Sequence, residues 1–165
     1  DVAHIRRPAE VGDHPTVIDG SLAMYFRPDS GGLTLVALED DNRRGESPDS
    51  DPGYVAKDFV QRAVERLCRR IPGMEAGSLH SSHVGRDGLT PDQRAVIGQA
   101  GPQGFYLATG FSGTGFKTSP AVGLCMAELI LDGAAKAVDI TGFDLGRFER
   151  GEFLKGEHDY GDVWR

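Results

Sequence analysis

Residues Gly110-Phe111-Ser112-Gly113-Thr114-Gly115 place three glycines and two hydroxyl side chains between an apolar run, Phe105 to Ala108, and a second that starts at Pro120. Glycine lets a backbone take positive φ and come close to a ligand. The head of a helix offers unpaired N–H groups and a partial positive charge. Strand, glycine turn and helix in that order suit a negatively charged or electron-rich group. The spacing is Gly-x-x-Gly-x-Gly, the reverse of the Gly-x-Gly-x-x-Gly that holds a dinucleotide pyrophosphate, and no ribose-binding acid follows in a second βα unit. From spacing alone, a ligand cradle and a plain strand-to-helix connection are equally open. Lys117 stands just past the turn. A cation there opposes the helix dipole, and an anionic ligand would relieve that. A lysine that simply reaches into water is the alternative.

Several elements must position this turn. Thr16–Asp19, Leu22–Phe26 and Leu33–Leu38 read as short strands, the last two joined as a hairpin through Pro28-Asp29-Ser30-Gly31-Gly32. Glu39 to Asp51 reads as an exposed acidic loop. A helix follows, with Asp51 as N-cap and Pro52 as its first residue. Val55, Phe59, Ala63, Leu67 and Ile71 recur every fourth position along one apolar face, and Pro72-Gly73 ends it. Ser78–Val84, Ala95–Ile97 and Phe105–Ala108 read as further strands. A second helix is expected from Ser119-Pro120 to Leu131, closed by Gly133. It is apolar almost all round, so it should be buried. The tail from Asp139 carries Phe143, Leu145 and Phe148, enough to hold it down.

Composition narrows the function classes. A chain of 165 residues that is 39% apolar and 26% charged builds a globular core. Its formal charge of −7 argues against nucleic-acid binding. There is no apolar run long enough for a membrane span, and Asp1 to Glu10 are too polar for a secretory leader. A start at Asp1 rather than Met suggests residues upstream. Cys68 and Cys125 show no disulfide or Cys-x-x-Cys pattern, and the cytoplasm suits two free thiols.

Other candidate sites are poorer. His80 and His83, three apart in a strand, should point to opposite faces, and no further ligands suggest a metal. Asp40-Asp41 and Asp49-Ser50-Asp51 lack calcium-loop spacing. Ser112 lacks the Gly-x-Ser-x-Gly spacing of a nucleophile elbow.

The stretch Tyr106 to Lys117, running into Pro120-Ala121-Val122-Gly123, resembles the C-terminal flavin motif of the D-amino-acid oxidase superfamily. The likeness is greatest to its sarcosine oxidase, glycine oxidase and dimethylglycine dehydrogenase group. Gly88-Leu89-Thr90-Pro91-Asp92-Gln93 with Ala95-Val96-Ile97-Gly98 resembles the Thr-Pro-Asp-Gly…Ile-Gly segment before it. Pro15 to Asp19 and Tyr25-Phe26-Arg27-Pro28 resemble the substrate-domain sheet. These occur in family order over nearly the whole chain.

The resemblance implies an α+β fold: an antiparallel substrate-domain sheet with a packed helix, then a returning strand–glycine turn–helix of the FAD-binding domain. Residues 1–84 would belong to the first part and 85–165 to the second, together one unit. The N-terminal Rossmann half, which would hold the ADP end of FAD, is absent from these residues. Gly110, Ser112, Gly113, Thr114, Gly115 and Phe116 would hold the flavin. A helix head at the pyrimidine edge stabilises the negative charge of reduced flavin. Lys117 would bind a substrate carboxylate, and Tyr25 would stand on the substrate side. Thr90-Pro91-Asp92 would form a turn near the flavin. Gly85 occupies the position of the covalent-flavin cysteine, so FAD would be non-covalent. Thr34 aligns with an oxygen-activating lysine, which favours a dehydrogenase over an oxidase.

The expected function is oxidation of a C–N bond in a small amino acid or N-methylated amine, with hydride passing to FAD, in an enzyme of which these residues form about two-fifths. On its own the piece would be inactive, would not keep FAD, and would expose sheet edges able to self-associate. The alternative is a non-catalytic binding or scaffold module that keeps the substrate-domain fold.

Overall fold

Alternation along the first residues sets the faces of the main sheet. In the computed structural model, which describes residues 1–40, 44–47, 49 and 53–155, strand β1 (Val2–Arg6) buries Ala3 and Ile5 and turns Val2, His4 and Arg6 to the other side. The polar character of this stretch conceals a strand, because one alanine and one isoleucine are all its buried face shows. β1 joins β2 (Val17–Asp19), β3 (Met24–Asp29), β4 (Leu33–Leu38) and β5 (Ser78–His83) in a five-stranded sheet ordered β2-β3-β4-β1-β5. Every pairing is antiparallel. The expected hairpin is β3 and β4, turning through Ser30–Gly32 with Gly31 and Gly32 at φ 68° and 72°. β3 begins at Met24 rather than Leu22, because the Asp19 carboxylate accepts from the Ser21 and Leu22 amides and folds that segment into a turn.

Helix α1 (Phe59–Arg70) covers one face of this sheet. Phe59, Ala63 and Leu67 are fully buried against Met24, Phe26, Val36 and Leu38. The expected cap at Asp51-Pro52 lies outside the described residues, as does much of the acidic loop. Val55 packs on the core but stands before the helix, which starts at Phe59. Ile71 ends it at φ −129°, ψ 82°, where the following Pro72 disfavours helical backbone. On the outer side Arg66 forks onto Asp40, with N–O distances of 2.9 and 2.7 Å. Arg70 bonds Asp19, and the Arg70 and Ser21 hydrogen bonds hold the Asp19 carboxyl well below the usual carboxylate range.

The chain divides into two compact units, Asp1–Arg86 and Asp87–Arg165. In the second, β6 (Val96–Gln99) pairs antiparallel with β7 (Tyr106–Thr109), followed by α2 (Gly115–Asp132) and the short α3 (Arg147–Arg150). α2 departs from expectation twice. It begins at Gly115, so Pro120 lies inside it rather than at its first position. It is also not buried: only Cys125 is fully covered, while Leu124, Ile130 and Leu131 are 52%, 51% and 82% exposed. The physical reason is that a single face finds cover in this unit, Val122, Met126 and Leu129 packing around Ala95, Ile97, Cys125 and Ile140. The expected C-cap holds: Gly133 sits at φ 80° and its amide donates to the Leu129 carbonyl. Among the described residues no helix is long and apolar enough to cross a membrane.

Candidate functional site

The glycine turn is shaped from below by the Gly88–Asp92 loop. The Ser112 amide donates to the Gly88 carbonyl at 3.2 Å. The Thr90 amide in turn donates to Ser112 Oγ at 3.2 Å, and Ser112 Oγ donates to the Gly110 carbonyl at 3.2 Å. Ser112 is 2% exposed, with φ 50°, so this expected flavin residue lies beneath the turn as its fastener. Ser112→Ala should leave the Thr90 amide without its acceptor and cost about 1–3 kcal/mol. A urea transition with an unchanged slope and a lower midpoint would register that loss, and an unmoved midpoint would remove the role.

Gly110 and Gly113 carry φ of 64° and 85°. A Cβ would fall 2.5 Å from Thr90 Cγ2 at Gly110 and 3.3 Å from Asp87 Oδ2 at Gly113. Side chains are thus excluded, and the bare backbone leads into α2. The hydroxyls at the head of α2 do not cap it. Thr114 Oγ1 donates to the Phe111 carbonyl at 2.7 Å, and Thr118 and Ser119 donate to carbonyls one turn back. There is no acidic residue in the first turn and no side-chain cap at Thr114. Helix geometry gives the first N–H groups no acceptor within the helix, so the positive end stays open. Phe116 is 97% exposed, and Lys117 is exposed beside it in the same turn. This bare, uncapped cradle has the chemistry to hold an anionic ring edge.

Asp92, from the Thr-Pro-Asp motif, anchors the support. It accepts from Arg147 Nε at 2.8 Å and Nη2 at 3.0 Å, and both side chains are 1% exposed. Arg147 also donates to the carbonyls of Arg94, Phe143 and Asp144, and the amides of Arg94 and Leu154 donate to Asp92. Burial pushes the Asp92 carboxyl up, but these donors prevail and hold it at about 2. Arg147 carries no sequence signal, being 55 positions from its partner.

In the first unit Tyr25 lies on the face of the sheet opposite α1, between buried Met24 and Phe26. Thr34 does not share that face. It is fully buried and its hydroxyl meets His14 Nε2 at 2.8 Å. The histidine expectation also changes. A register shift in the β1–β5 pairing between His4 and Ile5 interrupts the alternation of β5 at His80. As a result His80 reaches Arg6 and His83 reaches His4, both on the face that Tyr25 occupies.

A glycine turn opening into an uncapped helix, in a chain that also builds an antiparallel sheet covered by one helix, defines an α+β protein. The family model described as FAD dependent oxidoreductase (DAO) matches residues 2–129, and the chain belongs to that family. The FAD-dependent oxidoreductase domain-containing protein 1 of Xenopus laevis is 38% identical over 139 residues, covering 82% of this chain and 28% of that protein. The mitochondrial sarcosine dehydrogenase of Homo sapiens is 30% identical over 140 residues, covering 81% of this chain and 15% of the relative. The crystal structure of L-proline dehydrogenase from P. horikoshii superposes with a TM-score of 0.78 at 26% identity, over 93% of this chain and 40% of that one. The chain therefore spans less than a third of the length of these curated relatives.

Proposed function

We propose that this chain belongs to an enzyme that oxidises a C–N bond of a small amino acid or N-methylated amine. The observation that carries the reading is the uncapped head of α2, opened by Gly113 and Gly115 and bearing Lys117 in its first turn. The names of the relatives, sarcosine dehydrogenase and L-proline dehydrogenase among them, support the substrate class. FAD, when bound, supplies the hydride acceptor. Backbone N–H groups of Gly113, Gly115 and Phe116 would hold its pyrimidine edge, with Gly110, Ser112 and Thr114, whose own amide donates to the Phe111 carbonyl, setting their direction. Gly85 offers no nucleophile, so the cofactor is held without a covalent bond there. Its ADP end needs a βαβ unit that these residues do not contain. Lys117 holds the substrate carboxylate as a point charge, and Tyr25 contacts the substrate from the sheet. Two free cysteines, Cys68 and Cys125, suit a reducing compartment such as the cytoplasm.

The test is anaerobic bleaching of the flavin spectrum by sarcosine, proline and glycine in the full-length protein that carries these residues. Bleaching by one of them supports the reading, and a full-length protein that purifies without flavin supports the binding-module alternative. Lys117→Ala should raise the Michaelis constant by about 10- to 100-fold, the loss of a charge-assisted hydrogen bond of about 1.5–3 kcal/mol. An unchanged constant would take Lys117 out of the site.

A further inference from the structure

The face of the sheet opposite α1 carries a connected set of polar side chains that the glycine turn and Lys117 do not explain. Pairing registers place Tyr25, Ala37, Val2 and His83 in one cross-strand row, and Arg27, Leu35, His4 and Ser81 in the next. The His4 side chain is 16% exposed, and its Nε2 faces Asp29 Oδ2 at 3.3 Å. Asp29 is held by the Ser30 amide at 2.9 Å and faces Arg27 at 3.5 Å. The His83 ring stacks on His4 with centroids 5.5 Å apart and planes 21° from parallel. His83 itself is exposed. One imidazole is therefore oriented by a carboxylate, and it supports a second that is open to a ligand.

We propose that His83 takes the proton of the substrate ammonium, with His4 and Asp29 as positioning residues. This rests on the amine-oxidation reading above. An alkylammonium has no lone pair on nitrogen, so it must lose a proton before its C–H bond can yield a hydride. In this step one N–H bond breaks, its electron pair stays on the substrate nitrogen, and the proton goes to an imidazole nitrogen of His83. The other groups on this face are worse acceptors. Asp29 is held below its ordinary range by the Ser30 amide and by the charges of Arg27 and His4. His80 Nδ1 is turned to Arg6 at 3.4 Å, the guanidinium groups of Arg6 and Arg27 are donors only, and β4 contributes only Leu33, Leu35 and Ala37. Imidazole is the side chain that ordinarily exchanges a proton near neutral pH. Tyr25 and His83 stand three strand spacings apart, about 14 Å at about 4.8 Å each. Between them the row is floored by Ala37 and Val2.

The experiment uses the flavin-loaded protein, and follows the rate constant of anaerobic flavin bleaching against pH for the wild type and His83→Gln. A parallel titration measures binding of trimethylglycine, which carries no N–H, by the shift it causes in the flavin spectrum. The wild type should lose rate at low pH. In His83→Gln this acid limb should move up toward the ionisation of the substrate amine itself, and the rate at neutral pH should fall by about 10²- to 10⁴-fold, while trimethylglycine affinity stays within about threefold. His4→Gln should move the limb by less. An acid limb that keeps its wild-type position in His83→Gln overturns the proposal, as does a loss of trimethylglycine binding that parallels the loss of rate. A wild-type protein that binds flavin yet is bleached by no amine overturns the parent reading instead, and this one with it.

Discussion

Arg147→Ala should destabilise the second unit by about 3–5 kcal/mol, because it leaves Asp92 as a buried charge with no counter-ion. That is a large share of the stability of a domain this size. Arg147 makes five donor contacts, two to Asp92 and three to carbonyls, and its guanidinium lies 4.1 Å over the Phe148 ring. Urea unfolding followed by amide hydrogen exchange should show an early transition across β6 and β7 in the variant, while the amides of β1 to β4 stay protected. Replacing both partners with apolar residues, Asp92→Leu with Arg147→Met, should recover much of the loss, since desolvation of the pair is avoided. A single substitution that leaves the transition in place would show the pair to be dispensable. The same pair sets an acid limit. The folded carboxyl titrates at about 2, below the ordinary aspartate value of about 3.9. Its contribution is therefore complete above pH ~4 and is lost as pH falls through the folded value, about 2. Acid unfolding of Asp92→Leu/Arg147→Met should lack that component.

Gly110→Ala should cost about 2–6 kcal/mol and deform the cradle as well. The left-handed backbone at φ 64° is strained for an alanine, by about 1–3 kcal/mol. The added methyl carbon would also stand 2.5 Å from Thr90 Cγ2, and overpacking of this kind costs about 1–3 kcal/mol. Thr90 cannot swing aside cheaply, because its hydroxyl donates to the Arg94 carbonyl at 2.7 Å and its amide is held by Ser112. Relief must come from moving the turn away from the Gly88–Asp92 loop, which shifts the head of α2. Flavin retention should fall with stability in this variant. Gly133→Ala is the matched control: it has a similar φ of 80° and nothing within 4 Å, so it should show the backbone strain alone. Equal losses for the two variants would mean that the contact with Thr90 contributes nothing.

Short-range features were legible without coordinates. The β3–β4 hairpin follows from its Pro-Asp-Ser-Gly-Gly turn, the buried face of α1 from its four-residue spacing, and the end of α2 from Gly133, because each is set within a few neighbouring residues. The strand–glycine turn–helix and its likeness to flavin-binding oxidoreductases belong to the same class of local signal. The start of α2 was not legible. Ser119-Pro120 has the chemistry of a helix beginning, yet proline is also tolerated in the early turns, and packing of the glycine turn on Gly88–Asp92 carries the helix back to Gly115. Nor does an apolar sequence say which of its faces finds cover, and α2 covers only one.

Only tertiary structure placed β1 between β4 and β5, where partners 77 residues apart such as His4 and Ser81 meet. It also introduced the irregularity at His80, turned Thr34 inward, and joined Asp92 to Arg147. Turn chemistry and periodicity act over a handful of residues. Strand order and buried ion pairs depend on which distant segments share a core, so the sequence by itself determined the succession of strand, glycine turn and helix, and the fold decided what supports it.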